Sequence, residues 1–400
     1  MNKIKFIKKT KIFQLKKKKI LLISIIFIIY LIIKFGNIIN RINYDKIINY
    51  SIYDAAKKAK KFLKITYKGL LFSKKRIILA SNPKVSVVIP VYNKQNYIKH
   101  TIRSIQNQNM LDIDIVIVND FSSDNTSKII EELKKEDKRI RVINNKKNMG
   151  TLYTRCIGTL AAKGRYIFPL DGDDMFLDKD IVKNVYYLAE EKNFDIVVFK
   201  AIMAHQFNDI LKLKNLIPLR RNIVKNKIYY QPEICKSPDI VLWGQCINAE
   251  IYNKSIEIYG KKRYNFHLNY YEDAIINHII YQLANSSALI PYYGILYLFK
   301  LGTVSTITKG LEKVISYMKY IEIMIEFSRN IIELKNSITI KIIYFFNEGN
   351  FEKFINNSKL KVEIKKLLKN IFNSKFLSYK NKKDIRNNIS KTLLNYYDNH

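Results

Sequence analysis

The stretch KVSVVIPVY (84–92) decides the fold. It is a near-continuous β-branched run, the pattern of a strand covered on both faces. Working downstream, Ile98, Ile102 and Ile105 recur at helical spacing. Strand DIDIVIV (112–118), loop NDFSSDN (119–125), a helix over 126–136 and strand RIRVI (139–143) follow. A helix over 151–163, strand RYIFPL (165–170), a helix over 179–191 and strand FDIVVF (194–199) continue the alternation. Strands alternating with helices of this length predict an α/β fold with crossover units, a mostly parallel sheet and flanking helices.

Upstream of Ser81-Asn82-Pro83 the texture differs. Residues 1–19 hold nine lysines and no acid, a basic cytoplasmic tail. Residues 20–33 are apolar apart from Ser24 and Tyr30, and extension to Ile39 gives 20 residues, about 30 Å of helix, enough to cross a bilayer. No small-residue cleavage pattern follows, which favours a retained signal anchor over a cleaved leader. The lysine asymmetry predicts a single-pass type II membrane protein, with the bulk of the chain beyond the membrane. In a eukaryote that side is the Golgi or secretory-pathway lumen. Residues 40–82 read as a basic stem with helical YDAAKKAKKFLKI (53–65), 83–305 as the α/β domain, and 306–400 as a helical C-terminal region.

The chain has 400 residues, enough for a large core, and is 48% hydrophobic and 26% charged, which excludes disorder and a multi-span bundle. Its net charge is +36. Such a charge invites a nucleic-acid reading, but the lysines are spread through every segment, so no specific nucleic-acid partner is expected. Cys156, Cys235 and Cys246 have no CxxC spacing, and a disulfide scaffold is excluded.

In open parallel sheets, ligands bind beyond the carboxyl ends of the strands. Three acidic sites fall there or close by: Asn119-Asp120, Asp171-Gly172-Asp173-Asp174, and Glu272-Asp273 at the start of a helix. Three carboxylates in four residues repel unless a cation neutralises them, and hard oxygen ligands select Mg2+ or Mn2+. Gly172 would let the backbone approach a ligand. The alternatives are a solvated turn for Asp171-Gly172-Asp173-Asp174 and a simple helix start for Glu272-Asp273. His205, His267 and His278 are candidates for an additional metal ligand, against an ordinary structural role.

Taken together, VSVVIPVYNKQNYIKHTIRSIQNQ (85–108), IVIVNDFSSDNT (115–126), NMGTLYTRCIGTLAAKGRYIFPLDGDD (148–174) and YED (271–273) resemble a family 2 glycosyltransferase of the GT-A fold. The likeness extends through LWGQCINAEIYNKS (242–255) and YLFKLGTVS (297–305). It implies a nucleotide-diphosphosugar donor, a glycan or glycoconjugate acceptor and Mn2+ or Mg2+ as cofactor. Pro90, Val91 and Tyr92 would line the nucleoside pocket. Asp120 would accept from the uracil N3–H, in a loop where Asn119 and Phe121 replace an acid and a glycine of the family. Arg155 would contact donor phosphate or sugar, with Cys156 in place of an asparagine. Asp173 would be the direct metal ligand, and Asp171 would serve the metal and the donor sugar or ribose. Asp273 would be the base of an inverting transfer, with Glu272 and Trp243 beside the acceptor and Lys300 helping the diphosphate.

A polysaccharide-extruding synthase is disfavoured, because Leu242 and not arginine precedes the sole tryptophan. Two rivals stay open. One is transfer to a polyprenyl phosphate; the other is a catalytically degenerate module that binds anionic partners.

Overall fold

The computed structural model describes residues 52–67, 81–205, 217–219, 229–230, 241–260, 271–298 and Tyr320. The tail and the segment 20–39 lie outside the described residues. Among the described residues no helix is long and apolar enough to cross a membrane.

In chain order the elements are α1 (Ile52–Tyr67), β1 (Val85–Val91), α2 (Ile98–Gln106), β2 (Ile113–Asn119), α3 (Thr126–Glu136) and β3 (Ile140–Asn144). Next come α4 (Thr151–Ala161), β4 (Tyr166–Pro169), β5 (Met175–Phe176), α5 (Ile181–Lys192) and β6 (Ile196–Ala204). The remainder are β7 (Ile217–Leu219), β8 (Tyr229–Tyr230), β9 (Gln245–Asn248), α6 (Ala249–Tyr259), α7 (Glu272–Leu283) and β10 (Ser287–Leu298).

The strands form one sheet in the order β3-β2-β1-β4-β9-β6-β10-β5, with β7 added to β6 and β8 to β10. The first four are parallel, as the alternation predicts. The sheet as a whole is mixed, which corrects the mostly parallel expectation. β9 lies antiparallel between β4 and β6, and β10 runs parallel to β6 but antiparallel to β5 and β8. β9 is four residues long and β10 has irregular register around Pro291 and Gly294, so neither has the clean apolar run that marks β1.

β1 and β2 are buried along their whole length. Helix α4 packs closely on them because of Gly158, where a β-carbon would come within 2.7 Å of Val88 and 2.9 Å of Val118. Two helix ends differ from expectation for local reasons. α4 stops at Ala161 because the N–H groups of Lys163 and Gly164 turn to Ser86 Oγ, at 3.1 and 2.8 Å. α5 starts at Ile181 because Asp178 Oδ1 captures the Asp180 N–H at 2.7 Å.

Helix α1, within the stretch read as stem, packs on the domain. Ala55, Ala56, Ala59 and Phe62 are buried, and Lys58 Nζ reaches Asp178 Oδ2 at 3.1 Å. Asp178 also accepts the hydroxyl of Tyr292 on β10.

The sheet splits where it positions the site. β1 and β4 stay paired only up to Val88 and Pro169, whereas β1 and β2 continue to Val91 and Asn119. Beyond Pro169 the chain leaves β4 and delivers residues 171–174 into the gap. Pro90 is tolerated inside a central strand because its missing N–H falls past the last β1–β4 pair.

Candidate active site

Pro90 and Val91 are buried at the end of β1, while Tyr92 is 46% exposed. The Val91 carbonyl accepts the Asp120 N–H at 2.8 Å, which locks the two strand ends together. Asp120 is 3% exposed and already well supplied with donors. Its Oδ1 accepts Asn145 Nδ2 at 2.7 Å and the Met149 N–H at 2.8 Å, and its Oδ2 accepts the Gly150 N–H at 2.9 Å. A carboxylate held in this way ties the loop between β3 and α4 to the end of β2.

The two departures in this loop have separate physical accounts. Asn119 donates to Ser127 Oγ at 2.7 Å and to Asn144 Oδ1 at 3.1 Å, and accepts the Ser122 N–H at 3.2 Å. It therefore shapes the turn without a charge. Phe121 has φ 62 and is 58% exposed. The left-handed backbone that glycine takes freely is kept, with strain, by an aromatic residue.

The centre of the site is a chain of charges. Arg155, on α4 and 3% exposed, donates from NH2 to Asp171 Oδ1 at 3.0 Å and forms an ion pair, without hydrogen-bond geometry, with Asp273 Oδ1 at 2.9 Å. Its Nε and NH1 are buried with no partner. Despite burial, the two carboxylates hold its guanidinium well above the usual arginine range. On the other side, Lys94 Nζ lies 2.5 Å from Asp173 Oδ2. Burial opposes that charge, but Asp173 outweighs it and raises the ammonium above the ordinary lysine range.

Asp174 differs from its neighbours. It is 1% exposed, accepts only the Leu298 N–H at 3.4 Å through Oδ1, and leaves Oδ2 without a partner. Burial first, then Asp173 and Asp171, push its pKa well up. Of the three adjacent carboxylates, two face the gap and one is withdrawn into the core. Gly172 is packed closely by protein atoms. A β-carbon there would meet Pro90 O and Val91 Cγ2 at 3.3 Å and Lys94 Cγ at 3.4 Å.

α7 begins at Glu272, after Tyr271 in a left-handed turn at φ 59. Asp273 is partly buried with a 15% exposed side chain, and its Oδ2 receives the Leu242 N–H at 3.4 Å. Burial raises its pKa to about 6, opposed by the Arg155 charge and assisted by Asp171. Glu272 is pushed up to about 8 by burial and by the Asp273 charge. Tyr271 stacks on Tyr320, with ring centroids 5.9 Å apart and planes 2° apart. Trp243 is 6% exposed, and one face is covered by Tyr297 at 5.1 Å. This packing places its ring in the core beside the Leu242 amide.

Asp171, Asp173, Arg155 and Asp273 thus come together at the strand ends, with Asp120 on the neighbouring loop. Lys300 and His267 lie outside the described residues. His278 is buried on the core side of α7, and among the described residues no group of three His, Cys, Asp or Glu side chains could hold a metal. Two carboxylates with Asp171 Oδ2 and Asp173 Oδ1 unbonded still fit Mg2+ or Mn2+, which bind through one or two carboxylates and complete their shell with water and phosphate. Lys94 was not anticipated. Its only signal was a basic residue just beyond the end of β1.

Comparison with known proteins bears on the family and the fold. Residues 86–254 match the Glycosyl transferase family 2 model. An uncharacterized glycosyltransferase of Haemophilus influenzae is 35% identical over 159 residues, 38% of this chain and 49% of the relative. Another, from Methanocaldococcus jannaschii, is 30% identical over 189 residues, 41% of this chain and 65% of the relative. The chain therefore spans about half to two thirds of the length of these relatives. Among solved structures, residues 1–349 of S. aureus TarS, in complex with UDP-GlcNAc, superpose with a TM-score of 0.56 at 15% identity. That match covers 72% of this chain and 81% of the other, a likeness of fold.

Proposed function

Because residues 86–254 match the Glycosyl transferase family 2 model, we propose that the protein moves one sugar from a nucleotide-diphosphosugar to a hydroxyl of a glycan or glycoconjugate, with inversion at the anomeric carbon. The observation that carries this reading is the Arg155 bridge between Asp171 and Asp273. It sets a donor-side carboxylate and a raised-pKa carboxylate on either side of one buried guanidinium.

Asp273 acts as general base. Its elevated pKa makes it a stronger proton acceptor while leaving it ionised at neutral pH. It takes the acceptor hydroxyl's proton as that oxygen attacks the anomeric carbon opposite the departing diphosphate. Arg155 orients the base and keeps its charge compensated. Asp173 and Asp171 would hold Mn2+ or Mg2+, whose charge neutralises the leaving diphosphate. Pro90, Val91 and Tyr92 border the nucleoside, and Asp120 holds the loop that closes its edge. A uridine nucleotide is supported by the TarS structures, which are described with UDP-GlcNAc and with UDP. The apolar run over 20–39, flanked by lysines, supports attachment to a membrane through that segment.

The test is release of UDP or GDP by the full-length chain, offered a panel of nucleotide sugars with Mn2+ and an acceptor glycan. Donor-selective release, lost with EDTA and in Asp173→Asn, is expected. Release that is indifferent to Asp173→Asn, or no release with any donor, would overturn the reading. If Asp273→Asn retained full activity, the acceptor would instead be a group already ionised, such as a polyprenyl phosphate.

A further inference from the structure

The Lys94–Asp173 pair poses a question the reaction itself does not answer. At 2.5 Å, the ammonium occupies one oxygen of the carboxylate assigned to the divalent cation. The contact joins residues 79 apart in sequence and is partly shielded, with 29% and 13% of the two side chains exposed.

The backbone of Lys94 is firmly held. Its N–H donates to Thr126 Oγ1 at 2.8 Å, and its carbonyl accepts the N–H groups of Tyr97 and Ile98, both at 2.9 Å. The side-chain stem passes beside Gly172, where Cγ would be 3.4 Å from an added β-carbon. Only the far end of the side chain is left to move. Lysine also suits an exchangeable contact, being a point charge on a flexible stem, whereas arginine would fork onto the carboxylate.

We propose that Lys94 is a built-in competitor for the divalent cation at Asp173, so that metal alone binds weakly and metal binds well only together with the donor's diphosphate. An ammonium on Oδ2 and a divalent cation on the free Oδ1 of one carboxylate repel each other, so entry of the metal drives Lys94 Nζ away. When the diphosphate arrives with the metal, the displaced ammonium gains a new anion to neutralise. When the metal arrives alone, it gains none. The inference rests on the reading of Asp173 as a metal ligand.

The test is Mn2+ binding to the full-length protein, followed by electron paramagnetic resonance of the free ion, with and without UDP. Wild type should bind Mn2+ weakly alone and more tightly with UDP. Lys94→Met should bind Mn2+ alone about tenfold more tightly, the effect of losing one charge-assisted contact, and should show less tightening by UDP. Lys94→Gln is the second uncharged variant, so a folding defect peculiar to methionine does not decide the outcome. Lys94→Arg, which keeps the charge and can fork onto the carboxylate, should bind Mn2+ alone no more tightly than wild type. Unchanged or weaker Mn2+ binding in both uncharged variants would overturn the proposal. If Asp173→Asn left Mn2+ binding unchanged, the metal reading of the site would fall first. If Asp173→Asn abolished binding and the Lys94 variants changed nothing, Lys94 alone would be misassigned.

Discussion

The two ends of β1, β2 and β3 carry their charges in opposite ways. Where these strands begin, Asp114 has no solvent exposure. It accepts Ser86 Oγ at 2.8 Å, Arg141 Nε and NH2 both at 2.7 Å, and the Lys163 N–H at 3.1 Å. Nearby Arg139 is fully buried, forks onto Asp137, and donates to the carbonyls of Gln106 and Leu111, both at 3.4 Å. Where the same strands end, Arg155 is almost as buried, yet two of its nitrogens have no partner. Asp273 and Glu272 there are pushed toward neutral pKa values. A saturated network fixes strand register and loop ends. An unsaturated one of similar burial costs stability, and in return leaves groups ready for a ligand.

The largest expected difference between the two ends is kinetic. Asp273→Asn should lower kcat by about 1,000-fold, a typical loss for a general base, with a melting temperature close to wild type. Initial-rate assays beside a thermal melt would check it, and equal losses in both would erase the contrast. Asp114→Ala should do the reverse. It strands Arg141 and takes the acceptor from two further donors, Ser86 Oγ and the Lys163 N–H, so urea unfolding should show a loss of about 3 kcal/mol, with kcat per folded molecule unchanged.

Arg155→Met sharpens the comparison through pH. As the proposed base, Asp273 would work when ionised, so activity should fall as pH drops through its pKa. Arg155 opposes the upward push of burial on Asp273. Its removal should therefore move the acid limb of the kcat profile to higher pH. Below that limb the ionised base falls about tenfold for every whole pH step the limb moves. A limb that stays in place would mean that Arg155 does not act through Asp273. The smallest effect is expected at Phe121→Gly. Relief of the left-handed backbone, less the entropy of an added glycine, should give stability within about 1 kcal/mol on the favourable side. Equilibrium unfolding would measure it, and a clear loss would show that the exposed ring makes contacts worth more than its strain.

Much of this was legible beforehand. The β-branched run at 84–92 is β1, α3 spans 126–136 as its periodicity requires, and the acidic turn falls at the end of β4. The placement of charges was not. Asp171, Asp173 and Asp174 look equivalent in sequence, yet one is paired with Arg155, one with Lys94 and one is buried beneath the Leu298 amide. Sequence proximity to β4 could not distinguish them, because each partner arrives on a different element. β10 was missed for a related reason. Its 12 residues include Pro291 and Gly294, and it is a strand only because β6, β5 and β8 supply partners.

What the sequence determined by itself was local and periodic: the alternation of strands and helices, and the loops at which acidic residues must emerge. Apolar spacing settles these because burial of a face depends on residues two or four apart. Only the tertiary structure decided which acid meets which base. The Arg155–Asp273 pair spans 118 residues, as the difference of the two numbers shows, and the Lys94–Asp173 pair spans 79. No local pattern encodes such pairs. They exist because β1 and β4 separate after Val88 and Pro169, and because α4 and α7 bring their charges to that opening.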